Sequence, residues 1–501
     1  MMTALSFFVF IAPQILGFGG SQDGFQALAD EVEVRELDNG LRVIVLPFGD
    51  APVAAFRVTV NTGGMDEELG LTGLAHFAEH MAFKGSRRIG SKDWASEKRA
   101  LEECDRAWKL YEAASTHQLG NISNNEIQQL LASFESARAE ADRFSDASAF
   151  DTAVSVAGGL DQNASTGADS TEYHVSLPVA QMERWFWLTR EQLGDPVMRE
   201  FYKERDVVME ERRMRTDSNA FGSLLEAVLQ SAFVAHPYRD PVIGHMDDLE
   251  YLDRPEMLAF WKRHYTAERM VVTVVGKVEP DDVFALAEKY FSDLPRGKKS
   301  RIRRTQEPAQ KGERTVRVIR PTSPMVLIAW HVPEITKRNK LLYAALGDLL
   351  WGGPSSRWYQ RLVKEERISA EVDGWLGYPG RVDPTLLLMV GVPVPGHTGE
   401  EIVRIAQEEI ERLAAEGPTV REMGSLRRRA KMELLQRLES AQGLAGELAQ
   451  AELFDGGWET LFQSLDVVEL LTADDLKKAA AGLNPLQRVV GLMHDEVEVG
   501  L

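Results

Sequence analysis

The sequence predicts an α+β protein of two similar domains, each a mixed or antiparallel sheet packed by helices, with a helical hairpin inserted in the first. Three observations carry that reading. β-Rich runs and helical periods alternate through both halves of the 501-residue chain, which is too long for one ordinary core. Residues 295–313 are polar and basic (Lys298, Lys299, Arg301, Arg303, Arg304) with no apolar period, and read as a linker. Thr472-Ala473-Asp474-Asp475-Leu476 leading to Arg488-Val489-Val490-Gly491 echoes Asp253-Arg254-Pro255-Glu256-Met257 leading to Val274-Val275-Gly276, as if one unit were used twice.

In chain order, residues 4–18 form an apolar run that ends at Gly19-Gly20-Ser21, like the core of a secretory leader, although no Lys or Arg precedes Arg35. Residues 1–24 are therefore expected to be a leader, and the protein periplasmic or secreted, with the cytoplasm as alternative. Residues 32–37 and 41–46 flank Asp38-Asn39-Gly40 as a hairpin, and 53–60 reads as a further strand. Residues 92–114 and 124–145 carry apolar side chains at helical spacing (Trp108 and Tyr111 in the first, Ile127 and Phe134 in the second), which suits an antiparallel hairpin sealing its own seam. Helical periods follow over 181–193, 204–213, 253–265 and 279–291, with a buried strand at 270–276. The second half shows strands at 315–319 and 325–331 and helices over 339–350, 400–415 and 419–438.

A net charge of −20 argues against a nucleic-acid surface, and the single cysteine, Cys104, excludes an intrachain disulfide. Past the leader, no run of 18 uninterrupted apolar residues suggests a membrane span.

The chemistry concentrates in Leu74-Ala75-His76-Phe77-Ala78-Glu79-His80-Met81. Two histidines four apart on a helix share a face, so both imidazoles can reach one cation. A catalytic zinc needs three protein ligands and an open corner for water. Glu79 can point at that water and take its proton. The third ligand should come from another element. The run from Glu204 to Arg213 offers Glu204 and Glu211, two helical turns apart on one face, with Val207 and Val208 on its apolar side. Glu210 competes, but lies about 100° around the helix from Glu211.

His-x-x-Glu-His with the spaced glutamates resembles the pitrilysin or insulinase-like zinc metallopeptidases, in the half-size branch of the mitochondrial processing peptidases. The resemblance implies one Zn²⁺ per chain on His76, His80 and Glu211, with Glu79 as base and Glu204 as an outer support. It implies that the strand holding Asn163 and Ala164 is an exposed edge that accepts an extended peptide substrate. It also implies domains at 25–294 and 314–501, only the first with zinc, and marks residues 92–146 as an insertion of the hairpin. In this family half-size chains pair around a chamber that admits peptides and small unfolded proteins. Partner subunits often carry Arg and Tyr seven apart on a second-half strand, but Arg320 here is followed at that spacing by Leu327. The expected partner is thus a zinc-less homologous subunit that supplies the pair, or else a second copy. The rival reading is a non-catalytic assembly subunit of a peptidase-like complex.

Overall fold

The computed structural model describes residues 22–116, 122–297 and 305–495. The expected leader lies outside these, except that residues 22–24 open a helix, Gln22–Asp30. Eleven described strands form two sheets: β1 (Glu33–Glu36), β2 (Arg42–Pro47), β3 (Val53–Val60), β4 (Leu160–Thr166), β5 (Thr171–Pro178) and β6 (Met270–Gly276) in the first, and β7 (Arg314–Ile319), β8 (Met325–Val332), β9 (Ser369–Tyr378), β10 (Thr385–Pro393) and β11 (Arg488–His494) in the second. The orders are β1-β2-β6-β3-β5-β4 and β7-β11-β8-β10-β9.

Apart from β1, the two orders match strand for strand. In each, the last strand in sequence (β6, β11) inserts parallel to the first (β2, β7) and antiparallel to the next (β3, β8). The remaining two neighbours are antiparallel in both sheets. The mixed α/β fold expected from the sequence is the one observed, and the topology repeats as its faint echo suggested. β6 is buried at all seven residues, as a Val-rich strand covered on both faces must be. Strands β9 and β10 have no counterpart in the sequence reading. β10 reads Thr-Leu-Leu-Leu-Met-Val-Gly-Val-Pro, an unbroken apolar run whose period distinguishes neither strand nor helix.

The helices that matter for the site and for the joining of the halves are α1 (Leu74–Ala82), α2 (Trp94–Ser115), α3 (Asn124–Asp142), α4 (Phe201–Arg212), α5 (Ala220–Ala232), α6 (Lys337–Trp351), α7 (Val420–Leu438) and α8 (Ala441–Gln450). α5, from the first half of the chain, buries Leu224, Val228, Leu229 and Ala232 against Leu327, Ala329, Leu386, Leu388 and Val489 of the second sheet. α8, from the second half, buries Leu444, Ala445, Leu448 and Ala449 against Ile44, Leu46, Ala55, Val271 and Val275 of the first. The two units therefore exchange equivalent helices, and each sheet owes part of its cover to the other half. The described part of the linker is pinned as well: the Glu307 carboxylate accepts the backbone N–H groups of Val234, Ala235 and His236.

α2 and α3 form the expected hairpin. Asp93 caps α2, and a Ser123/Glu126 capping box opens α3. The seam is not closed by the hairpin alone, however. Trp108 of α2 and Phe134 of α3 pack on Tyr202 of α4, at ring separations of 5.2 and 5.0 Å, and the Arg205 guanidinium lies 4.1 Å above the Trp108 ring. On α4 itself Val208 is buried, but Val207 is 48% exposed, so the apolar side expected of both belongs to Val208 only.

Candidate metal centre

α1 is held on one side by burial and on the other by capping. Leu74, Ala75, Phe77, Ala78 and Met81 enter the core, which leaves Glu79 and His80 to line a cavity and the buried His76 to face Glu211. The half-buried Glu67 carboxylate accepts the backbone N–H groups of Gly73 (2.8 Å) and Ala75 (2.7 Å) at the helix start. Phe77 stacks on Phe201 at 4.6 Å, which fixes how α4 crosses α1.

That crossing brings His76, His80 and Glu211 together, with one ligand atom from each within 4.8 Å of the others. His76 Nε2 lies 3.8 Å from Glu211 Oε1, and His80 Nε2 lies 3.5 Å from Glu211 Oε2. Neighbouring ligands on a tetrahedral zinc, at about 2.0–2.2 Å from the ion, are separated by roughly 3.4 Å, so the three side chains fit that ion. Glu204 sits behind them. Its Oε1 is 2.9 Å from His80 Nδ1 and its Oε2 is 2.5 Å from Lys84 Nζ. A hydrogen on Nδ1 donated to Glu204 leaves the Nε2 lone pair pointing at the cluster. Glu210 is exposed and pairs with Arg213, away from the cluster.

Burial, and then the nearby charges of His80 and Arg215, lower His76 to about 3, which keeps its imidazole neutral as a metal ligand must be. His80 is raised: burial opposes its charge, but Glu204, Glu211 and Glu79 outweigh that. Glu204 falls to about 2, because its bonds to His80 and Lys84 overcome the cost of burial. Glu79 moves up, mainly by burial, and a hydrogen bond from Thr166 offsets part of the rise. That bond, Thr166 Oγ1–H to Glu79 Oε2, spans 2.6 Å.

Thr166 closes β4, the outermost strand of its sheet. Asn163 and Ala164 lie on the same strand and line a cavity of about 480 Å³ with Glu79, His80 and Glu204. The Asn163 side chain accepts the Ala164 N–H at 2.9 Å. The sequence reading missed Thr166, Lys84 and Arg215, whose Nη1 holds Glu211 Oε1 at 2.8 Å. Two of the three had a helical signal: Lys84 lies four residues past His80, and Arg215 four past Glu211. Thr166 belonged to a stretch already singled out. His236, a histidine beside proline, is structural: it is buried, with its Nε2 3.1 Å from Asp383 Oδ2.

A duplicated mixed α/β chain with two histidines and a glutamate gathered on crossing helices, beside an open strand edge, has the build of a peptidase of the inverted-motif class. The family model described as insulinase (peptidase family M16) matches residues 43–102, and the model described as the peptidase M16 inactive domain matches residues 251–429. A zinc protease of Helicobacter pylori, PqqE, is 26% identical over 431 residues, covering 85% of this chain and 84% of its own. A crystal structure of a protease from the same organism superposes with a TM-score of 0.76 at 25% identity, over 92% of this chain and 99% of that one. The periplasmic protease PqqL from Escherichia coli shares the fold, with a TM-score of 0.67 at 18% identity, over 93% of this chain but 48% of its own. Both halves of the chain are thus similar to the pitrilysin/insulinase-like family.

Proposed function

We propose that the protein is a zinc-dependent endopeptidase, with one zinc ion held by His76, His80 and Glu211. The observation that carries the reading is the convergence of these three side chains beside Glu79, at the rim of a cavity bordered by a strand edge. A zinc ion there would supply Lewis acidity toward a water molecule and a peptide carbonyl.

The chain's own groups supply the rest. The β4 edge pairs with an extended peptide backbone, with Asn163 and Ala164 on the substrate side; the Asn163 carboxamide gives up the Ala164 N–H as the peptide arrives. Thr166 ties the base to that strand, so peptide and proton acceptor share one register. Glu79 takes a proton from the attacking water and returns it to the leaving amine nitrogen; burial raises its pKa, the direction that helps it hold the proton between the two transfers. Glu204, itself anchored by Lys84, holds the His80 ring in place.

Paired subunits would enclose the working chamber. The Escherichia coli neighbour, in which the fold accounts for about half the chain, supports such doubling. Leu327, at the position where the resemblance calls for a tyrosine, is fully buried in β8, which favours a zinc-less homologous partner that supplies the missing groups over a homodimer. The apolar run at residues 4–18 and the periplasmic neighbour support export.

The test is a quenched peptide library assayed with and without chelator, beside Glu79→Gln. Turnover should need the metal and fall by about 10²–10⁴-fold in the variant, which keeps its zinc. Turnover indifferent to both changes sinks the reading, and no turnover at all in the zinc-loaded parent and its partner favours the assembly-subunit alternative.

A further inference from the structure

Arg199 is 1% exposed and lies just ahead of α4. Its guanidinium is fully engaged. Nη1 donates to the carbonyls of Lys84 and Ile89, both at 2.6 Å, and Nη2 donates to the carbonyl of Ser86 at 2.7 Å. Nε and Nη2 also face the two oxygens of Glu97, at 2.8 and 3.3 Å, and that carboxylate is wholly buried. One cation thus joins three elements: the loop leaving α1, the entry to α4, and α2 of the inserted hairpin.

The backbone around it is shaped to this contact. Gly85 and Gly90 sit at φ +79° and +87°, and a Cβ at either would lie 2.9 or 2.6 Å from Arg199 Nη1, so the loop closes around the guanidinium as only glycine allows. Met198 and Glu200, on either side of Arg199, take left-handed φ values of 57° and 54°. Non-glycine residues hold that conformation only where the surroundings over-determine it, and such strain gathers where geometry matters. The connection to the cluster is short: Lys84, whose carbonyl Arg199 holds, reaches Glu204 with its ammonium, and Glu204 reaches His80.

We propose that Arg199 is a positioning residue for the metal centre, and that the inserted hairpin, through Glu97, is the brace that keeps it there. Arg199 sets how far the exit of the helix bearing His76 and His80 stands from the start of the helix bearing Glu211. The hairpin supplies the buried counter-charge without which the guanidinium would not stay in place. This rests on the zinc reading given above and assigns the hairpin a role in it.

The experiment uses the full chain with zinc alone as probe. Affinity is read by competition with a chromophoric chelator, and ligand geometry by the visible spectrum of the cobalt-substituted protein. The informative variant is the double Glu97→Leu/Arg199→Met, which removes both buried charges together and with them the three carbonyl contacts. The metal-free double variant should melt close to the parent, yet bind zinc about 10–100-fold more weakly, as loss of outer support does, with an altered cobalt spectrum. Parental affinity and spectrum in the folded double variant would overturn the proposal and leave the pair as an element of the fold. Should the double variant not fold, Glu97→Gln, which keeps the shape and one acceptor, decides by the same two readings. A parent chain that binds no zinc would sink the metal reading itself, whatever the variants do.

Discussion

The first half of the chain crosses α1 with α4, and the second crosses α6 with α7, its counterparts by position in the repeated topology. At the first crossing two imidazoles face a carboxylate, with Glu204 and Lys84 behind them. At the second, Arg429 donates to both oxygens of Asp348, at 2.7 and 2.5 Å. Both arrangements join two helices through polar side chains, but they differ in what is left to bind. The Arg–Asp fork uses its own donors and acceptors on each other. The histidine pair keeps ring nitrogens and a carboxylate aimed at a common point, and so leaves room for a cation. One architecture therefore supports a closed ion pair in one copy and an open donor set in the other, according to which side chains occupy the crossing.

Removing a donor from the first crossing should break this contrast most strongly. His80→Ala should abolish zinc binding and lower peptide turnover by roughly a thousand-fold or more, since Lewis acidity is worth several kcal/mol; metal analysis alongside the peptide assay checks it.

The exchanged helices make the two halves depend on each other. Leu224→Ala in α5 and Leu444→Ala in α8, both fully buried, should each cost about 2–5 kcal/mol. Calorimetry should show one unfolding transition that shifts as a whole in either variant, and two separated transitions would show that the halves are independent.

Acid should act through the first half. Burial and the Arg269 charge lower His264 to about 4, from an ordinary value near 6.5. The unfolded chain then binds a proton that the folded chain refuses, so this group's contribution is present above pH 6.5 and is lost as pH falls from 6.5 toward 4. The loss should be on the order of 3 kcal/mol, and His264→Asn should flatten the acid side of the stability curve measured by denaturant titration.

The smallest effect belongs to the second crossing. Asp348→Asn should cost about 1 kcal/mol, as a partly exposed pair does, and leave zinc affinity at the parental value; weaker zinc binding in that variant would mean that the closed crossing is coupled to the open one.

Much of this was legible from residue order. The hairpin at Asn39-Gly40, the strand Val53–Val60, the helices α2 and α3 and the shared face of Glu204 and Glu211 all follow from short-range periodicity and turn chemistry. β10 escaped because a uniformly apolar run has no period to read. The exchange of α5 and α8 escaped for another reason: amphipathic spacing tells which face of a helix is buried, not which sheet receives it.

Spacing alone determined that His76 and His80 could share a cation, because a helical turn has a set rise and twist wherever it occurs. Only the packed molecule decided that Glu211, 131 positions after His80, would come within 3.5 Å of it. The stacking of Phe77 on Phe201 and the burial of Arg199 among three carbonyls exist only once distant segments meet, and no local pattern encodes where they will.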